Sequence, residues 1–384
     1  MKNWFQWQFR KKQTDGILNF SKKRNKKIAL VIYAPWAVKA FSEGSFKDAD
    51  FNGHSMHWES IEMVKCLAAE GYNVDYIDCL SPLPGIDWGK YQLVIDERGN
   101  LYDHCEEIKC PKIFYATGCD SQFHNDAEEE RLSEFNKKFG LNFSAQRKVS
   151  PILSGQVADI TTYFGNDFQK NLFPKPGNTF LLNLSTVYLP SVKSAYPIEE
   201  RRKNFIWLGS RGFIHKGLDI VVEAFAEQPD LNLHICTDLT VEPEFYEWYK
   251  KVTRRSGNIF YHGFLVVSSA GFSSIIKKCI AIPFLSCAEG GGGAVLQAMQ
   301  FNCFPIVNKS TALRGHEFGI LLEADKREDL LNELKKSLDL IRNLTGKKLE
   351  QMATASGQYS RKNHSRKAYA VSFKELLSKI HEKN

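Results

Sequence analysis

Residues 204–228 read NFIWLGSRGFIHKGLDIVVEAFAEQ. An unbroken apolar run through Leu208 enters a turn carrying Gly209, Gly212 and Gly217, and beyond it apolar residues recur at helical spacing through Phe225. A run without polar alternation is the pattern of a strand covered on both faces, which belongs to a parallel sheet flanked by crossover helices. The unit repeats in both directions. Downstream, LNLHICT, NIFYHGF, AIPFLSC, CFPIVN and GILLEA read as strands, with FSSIIKKC and AVLQAMQ as helices between them. Upstream, KKIALVIYAP, YNVDYID, YQLVID, KIFYATG and ADITTYFG read as strands, with SMHWESIEMVKCLAAEG and NDAEEERLSEFNKKFG as helices. The fold class is therefore α/β, two tandem doubly wound Rossmann-like domains facing across a cleft.

Domain limits follow from composition. PSVKSAYPIEERRK combines two prolines with a charge run and no apolar period, so residues 191–203 read as a linker between a first domain, 28–190, and a second, 204–360. The chain of 384 residues, 43% apolar and 25% charged, has the balance of a folded globular protein. Its net charge of +7 is concentrated in residues 1–27, where nine cations face the single acid Asp15 and leave the remainder at −1. A basic face for nucleic acid is thus not expected on the folded body. The leader interleaves Trp4, Phe5, Trp7 and Phe9 with Lys2, Arg10, Lys11 and Lys12. That is the composition of a segment lying on an anionic membrane surface, or of a solvated tail. There is no signal-like apolar run and no stretch long enough to span a bilayer. Nine scattered cysteines without a C-x-x-C pair suit a reducing compartment. The expected location is cytoplasmic, with peripheral membrane contact through the leader.

Ligands of open parallel sheets bind beyond the carboxyl ends of strands, so the strand-to-helix turns carry the chemistry. In the 209–217 loop, Arg211 and Lys216 stand beside backbone amides, a combination suited to a diphosphate and equally found in a solvated Gly-rich turn. In FLSCAEGGGGAVLQAMQ, Glu289 precedes Gly290, Gly291, Gly292 and Gly293. Four glycines cost folding entropy, and close approach of a ligand to the backbone is the expected reason for them. The strand ending at Tyr33 is followed by APWAVKAFSEG, which lacks the G-x-G-x-x-G of a dinucleotide site, and no G-K-[ST] of a P-loop occurs. No divalent ion is expected.

Taken together, these residues resemble the donor-binding half of family 4 of the retaining glycosyltransferases (glycosyl transferases group 1), enzymes of the GT-B fold. The resemblance covers residues 204 to about 325 and rests on Gly209, Lys216, Gly217 and Asp219, then Glu289 with its four glycines, Ala298 and Pro305-Ile306-Val307. It implies a catalytic set of Lys216, Arg211 and Glu289, and donor binding by Gly209, Gly290, Gly291, Gly292, Gly293, Gln297 and Gly53. It also implies a nucleotide-diphosphate sugar as donor, UDP- or GDP-linked, with no metal and no cofactor, and a glycan or lipid-linked acceptor of cell-surface polysaccharide synthesis. The chain departs from the family pattern in three places. Gln297 replaces the second acid of the Glu-x7-Glu pair, where its carbonyl is expected to take a ribose hydroxyl. Gly209 and Lys216 stand seven steps apart instead of six. The loop after KIFYATG lacks the family's histidine, leaving Asp120 and His124 as acceptor-side candidates. His54 and His57 read as solvated or core-edge residues.

Three expectations follow. Residues 361–384 form a helix crossing back to the first domain, the cleft closes around the donor, and Lys216→Ala or Glu289→Ala abolishes turnover while leaving melting nearly intact. The alternatives are a non-catalytic nucleotide-sugar or glycan-binding scaffold of the same fold and a nucleotide-sugar epimerase.

Overall fold

The computed structural model describes residues 13–14, 16–22, 24–45, 47, 53–83, 85–187 and 196–382. Trp4, Phe5, Trp7, Phe9 and the cations among residues 1–12 lie outside the described residues. Two sheets organise the chain. The first contains β1 (Gln13–Thr14), β2 (Ile17–Phe20), β3 (Lys27–Tyr33), β4 (Tyr72–Asp78), β5 (Leu93–Asp96), β6 (Lys112–Tyr115), β7 (Ile160–Tyr163) and β8 (Thr179–Leu181), in the spatial order β1-β2-β4-β3-β5-β6-β7-β8. The second contains β9 (Asn204–Leu208), β10 (Asn232–Cys236), β11 (Ile259–Tyr261), β12 (Ala281–Phe284), β13 (Phe304–Asn308) and β14 (Ile320–Leu322), in the order β11-β10-β9-β12-β13-β14, all parallel. In the first sheet, among the described residues, β2 alone runs against the other strands, pairing antiparallel with β1 and with β4 near the edge.

Helices connect the strands. The first lobe carries α1 (Trp36–Ser42), α2 (Ser55–Ala69), α3 (Asn100–Asp103), α4 (Ser121–Phe139) and α5 (Asp167–Leu172). The second carries α6 (Ile198–Arg201), α7 (Leu218–Ala226), α8 (Pro243–Thr253), α9 (Ala270–Ile276), α10 (Gly293–Met299), α11 (Arg327–Asn343) and α12 (Gly346–Asn363). Last comes α13 (Arg366–Glu382), which packs on α2 of the first lobe: the Tyr369 ring lies 5.9 Å from that of Trp58, and its hydroxyl is 3.0 Å from that of Tyr115.

Three features differ from the sequence reading. The leader assigned to residues 1–27 is not one piece, because Leu18 and Phe20 are buried and β2 pairs with β4, Leu18 opposite Tyr76. The alternation of ILNF, buried on one face, is the edge-strand pattern, and the surrounding charge masks it. The linker's charge run also has structure: Arg201, 2% exposed, donates to the carbonyls of Cys279 and Asn302 and so closes the carboxyl end of α9 and α10. Finally, α4 belongs to both lobes. It follows β6 of the first sheet, yet Phe135 is fully buried in the second-lobe core, edge-on to Trp248 at 5.2 Å, with Phe139 5.3 Å from the same indole. Arg131 donates to the Leu285 carbonyl at 2.9 Å, and the backbone N–H of Arg327 donates to Glu134 at 3.0 Å. Ion pairs from Lys138 to Glu223 and Glu328 complete the attachment.

Candidate functional site

Strand order brings the chemistry together. β9 and β12 are neighbours, Phe205 opposite Ala281, although the 72 residues 209–280 separate them in the chain. From β9 the sheet proceeds to β10 on one side and β12 on the other, so the loops after β9 and β12 flank a topological switch point, where doubly wound sheets open a crevice. Those loops are residues 209–217 and 285–292. The first sheet opens the same way between β3 and β5 and contributes Tyr33, Glu97 and Thr117 to the facing wall. A cleft of about 850 Å³ lies between.

Lys216 and Glu289 meet on the floor of this cleft, Nζ to Oε1 at 3.0 Å, with side chains 6% and 20% exposed. The same oxygen accepts from Ser286 Oγ at 3.3 Å. Burial alone would raise the Glu289 carboxyl, but the Lys216 charge and hydrogen bond outweigh it and hold the group below its ordinary value. His215 locks the two loops to each other. Its Nε2–H donates to the Ala288 carbonyl at 2.7 Å, and its own carbonyl accepts from Cys287 N at 2.9 Å. Burial pushes this imidazole down to about 3, so it is neutral and acts as a strut. Glu242 secures the other end by accepting from the backbone N–H groups of Gly212 and Phe213.

The glycines have mixed reasons. Gly217 caps α7 with φ 71°, and a Cβ there would stand 2.4 Å from the Leu285 carbonyl oxygen. Gly291 and Gly292, at φ 142° and 65°, need backbone conformations that other residues rarely adopt. At Gly290 the neighbour is the opposite lobe, where a Cβ would lie 2.3 Å from the Thr117 carbonyl oxygen. Close approach is therefore required at Gly290 by protein backbone, where a ligand was expected, while at Gly293 a Cβ would meet only Leu184 Cδ2 at 3.5 Å. All four glycines still border the cleft, as do Gly209 and Gly53.

Other candidates move. Arg211 reaches the cleft, but its Nε and Nη2 donate to Gln146 Oε1 at 3.1 and 2.5 Å. Gln297 lines the cleft, yet its Oε1 accepts from Val187 N at 2.9 Å, and its buried Nε2 has no partner. The carbonyl expected to take a ribose hydroxyl is thus already occupied by the Val187 amide. Asp120 caps α4, accepting from Gln122 N and Phe123 N at 3.0 and 3.1 Å, and does not border the cleft. His124 is also withdrawn: its Nε2 lies 2.8 Å from the Arg147 carbonyl, and burial lowers its pKa. Neither residue borders the cleft where an acceptor-side role was expected, and the cap and loop hydrogen bonds give Asp120 Oδ1 and His124 Nε2 structural tasks. His54 caps α2 through Nδ1, which accepts from Met56 N at 3.2 Å, and His57 lies against Trp36 with ring centres 4.6 Å apart.

Other residues at or near the cleft carry little signal in the sequence. Glu59 is 2% exposed on the cleft-facing side of α2, accepts from Ser185 N at 2.7 Å, and is raised to about 7 by burial. An acid on an otherwise apolar helix face is the one hint that it has a task. Glu97 takes the Thr117 hydroxyl at 2.7 Å. His124, Glu128 and His215 place ligand-type atoms within 4.8 Å of one another, a group that the sequence hides because it joins α4 to the 209–217 loop. Glu128 Oε1 is already committed to the N–H groups of Gln146 and Arg147, and both imidazole Nε2 atoms to carbonyls, so these contacts serve loop positioning.

No family model and no curated protein matches the sequence. Solved structures do match the architecture. HepE of Anabaena, in complex with UDP-glucose, aligns over 93% of this chain and 100% of its own with TM-score 0.55 and 14% identity. Sucrose-phosphate synthase of Thermosynechococcus elongatus aligns over 94% and 100% with TM-score 0.56 and 12% identity. The fold is GT-B. WaaG, a glycosyltransferase involved in lipopolysaccharide biosynthesis, shares it over 92% of this chain and 99% of its own, TM-score 0.51 and 13% identity. At these identities the likeness fixes the GT-B architecture and leaves the chemistry to the residues. Among the described residues no helix is long and apolar enough to cross a membrane, and all nine cysteines are free thiols.

Proposed function

We propose that the chain is a glycosyltransferase, moving a sugar from a UDP- or GDP-linked donor to a glycan or lipid-linked acceptor with retention, as family 4 enzymes do, without metal or cofactor. The observation that carries this reading is the Lys216–Glu289 contact at 3.0 Å beside four glycines at the switch point of the second sheet. Breaking a glycosidic bond to a diphosphate places growing negative charge on the leaving oxygen. A fixed cation in a partly dehydrated cleft stabilises that charge without rearranging when it appears. Lys216 is preset for this by Glu289 and by the His215 strut behind it. Glu289, one fifth exposed, remains within reach of a sugar hydroxyl. On the opposite wall Glu59 and Glu97 offer hydrogen-bond acceptors to an incoming hydroxyl, and at about 7 Glu59 is near the value at which a carboxylate takes up a proton at neutral pH. Phe264, 72% exposed, with Val241 gives the second lobe an apolar border for a base.

The test is product analysis. The purified chain is incubated with a mixture of nucleotide sugars and a membrane extract, and products are followed by mass spectrometry. Release of UDP or GDP together with a glycosylated acceptor is expected. Donor binding without nucleotide release would replace the enzyme by a scaffold, and an altered donor sugar without acceptor would replace it by an epimerase.

A further inference from the structure

Three basic side chains, Arg147, Arg211 and Lys216, border the cleft. Their commitments differ. Lys216 is paired with Glu289, so its charge is already balanced. Arg211 spends two of its donors on the neutral amide of Gln146. The Arg147 guanidinium makes no hydrogen bond or ion pair among the described residues, and its Nε is buried without a partner. Its charge nevertheless reaches Glu289, whose carboxyl it helps to lower. Everything else about Arg147 is fixed. Its backbone N–H donates to Glu128 Oε1 at 2.7 Å, that of Gln146 donates to the same oxygen at 2.8 Å, and its carbonyl accepts from His124 Nε2 at 2.8 Å. Its side chain passes directly over Gly212, where a Cβ would stand 2.4 Å from Arg147 Cγ and 2.7 Å from Cδ. Gly212 also has φ 95°, so its backbone excludes other residues on two grounds.

A buried carboxylate and a histidine thus hold the backbone of one loop residue, a glycine clears the path of its side chain, and the cation at the end has nothing to bind. An unpaired guanidinium partly withdrawn from water is costly unless an anion meets it. We propose that Arg147 is a diphosphate-binding residue, a cation supplied by the first lobe opposite Lys216, with His124 and Glu128 as its positioning residues. This rests on the donor reading above and adds to it a residue outside the second domain. Arg147 follows α4, whose aromatic residues are seated in the second-lobe core, so it stands in fixed relation to Lys216 before any ligand arrives.

The experiment measures the affinity of the full chain for UDP, GDP, inorganic pyrophosphate and uridine by titration calorimetry, for wild type and for the Arg147→Gln, Arg147→Lys and Lys216→Gln variants. Losing a charge-assisted contact should weaken the favoured nucleoside diphosphate and pyrophosphate about 10- to 100-fold in Arg147→Gln, with partial recovery in Arg147→Lys and no change for uridine. The melting temperature of ligand-free Arg147→Gln should stay close to wild type, since no partner is lost. Diphosphate affinity within twofold of wild type in Arg147→Gln, while Lys216→Gln loses it, overturns the assignment and leaves the donor reading standing. Failure of wild type to bind UDP, GDP or pyrophosphate overturns both.

Discussion

Removing the Lys216 charge should do more than stop turnover. In Lys216→Met the Glu289 carboxylate stays where the loops hold it, short of its cation and only one fifth exposed. Breaking a buried pair from one side costs roughly 3–5 kcal/mol, and the remaining exposure together with the Ser286 hydroxyl brings the expected loss to about 2–3 kcal/mol. The double variant Lys216→Met/Glu289→Gln leaves no uncompensated charge and should return to within about 1 kcal/mol of wild type. Near-intact melting of single variants, the expectation from the sequence, is therefore revised.

The pH dependence reverses as well. In wild type the Glu289 carboxyl lies below its ordinary 4.5, so its contribution is present above that value and fades as pH falls through its folded pKa. Without Lys216 burial dominates and raises the carboxyl. Stability of the single variant should then rise as pH is lowered from neutrality toward about 4.5, relative to wild type. Urea titrations followed by tryptophan fluorescence at several pH values read both effects. A loss below about 1 kcal/mol in the single variant, or a double variant no more stable than the single, would refute the idea that the pair is an electrostatic unit.

Phe135→Ala should cost about 3–5 kcal/mol and accelerate hydrogen exchange in strands of both sheets; acceleration confined to the first sheet would contradict the shared role of α4. Glu59 is raised from 4.5 to about 7, so the protein loses stability as pH climbs through that interval. Glu59→Gln keeps an acceptor for Ser185 N and should remove about 3 kcal/mol of that fall, visible as a flatter pH–stability curve; an unchanged slope would place the carboxyl at its ordinary value. Deleting residues 1–12 spares β2 and should abolish binding to vesicles containing anionic lipid, with equal binding by the shortened chain arguing against a membrane-directed leader. A deletion through residue 26 would also remove β2 and is expected to lower stability.

The parallel strands were legible because residues buried on both faces must be apolar without interruption, as in β3 and β9, whose runs lack polar alternation. The place of Lys216, Glu289 and the glycines at the mouth of the second sheet was legible because loop composition at a strand end is local information. What escaped depends on strand order and on contacts between distant segments. Nothing in SAQRKVSP marks Arg147 as a cleft residue, since its place follows from Glu128 and His124 one helix earlier. Asp120 and His124 were misplaced for the converse reason: their residue types suit both chemistry and structural caps, and only the hydrogen-bond partners decide between them. Gln297 illustrates a subtler limit, because its carbonyl is taken by the amide of Val187, 110 residues away in the chain.

The seating of α4 also bears on how the two substrates of the proposed transfer would meet. Helix, Arg147 loop and second sheet share one packed core, so a hinge motion cannot part Arg147 from Lys216 without exposing Phe135 and its aromatic neighbours. The half of the cleft carrying Glu59 and Glu97 meets the second lobe through other contacts, among them the Asn166 N–H on the Ala312 carbonyl at 3.1 Å and the Thr117 carbonyl against Gly290. On the proposed function, the preassembly of Arg147 with Lys216 makes ordered addition the kinetic signature to seek, with the nucleotide sugar binding first; acceptor binding at full affinity in the absence of nucleotide would show that the order is random.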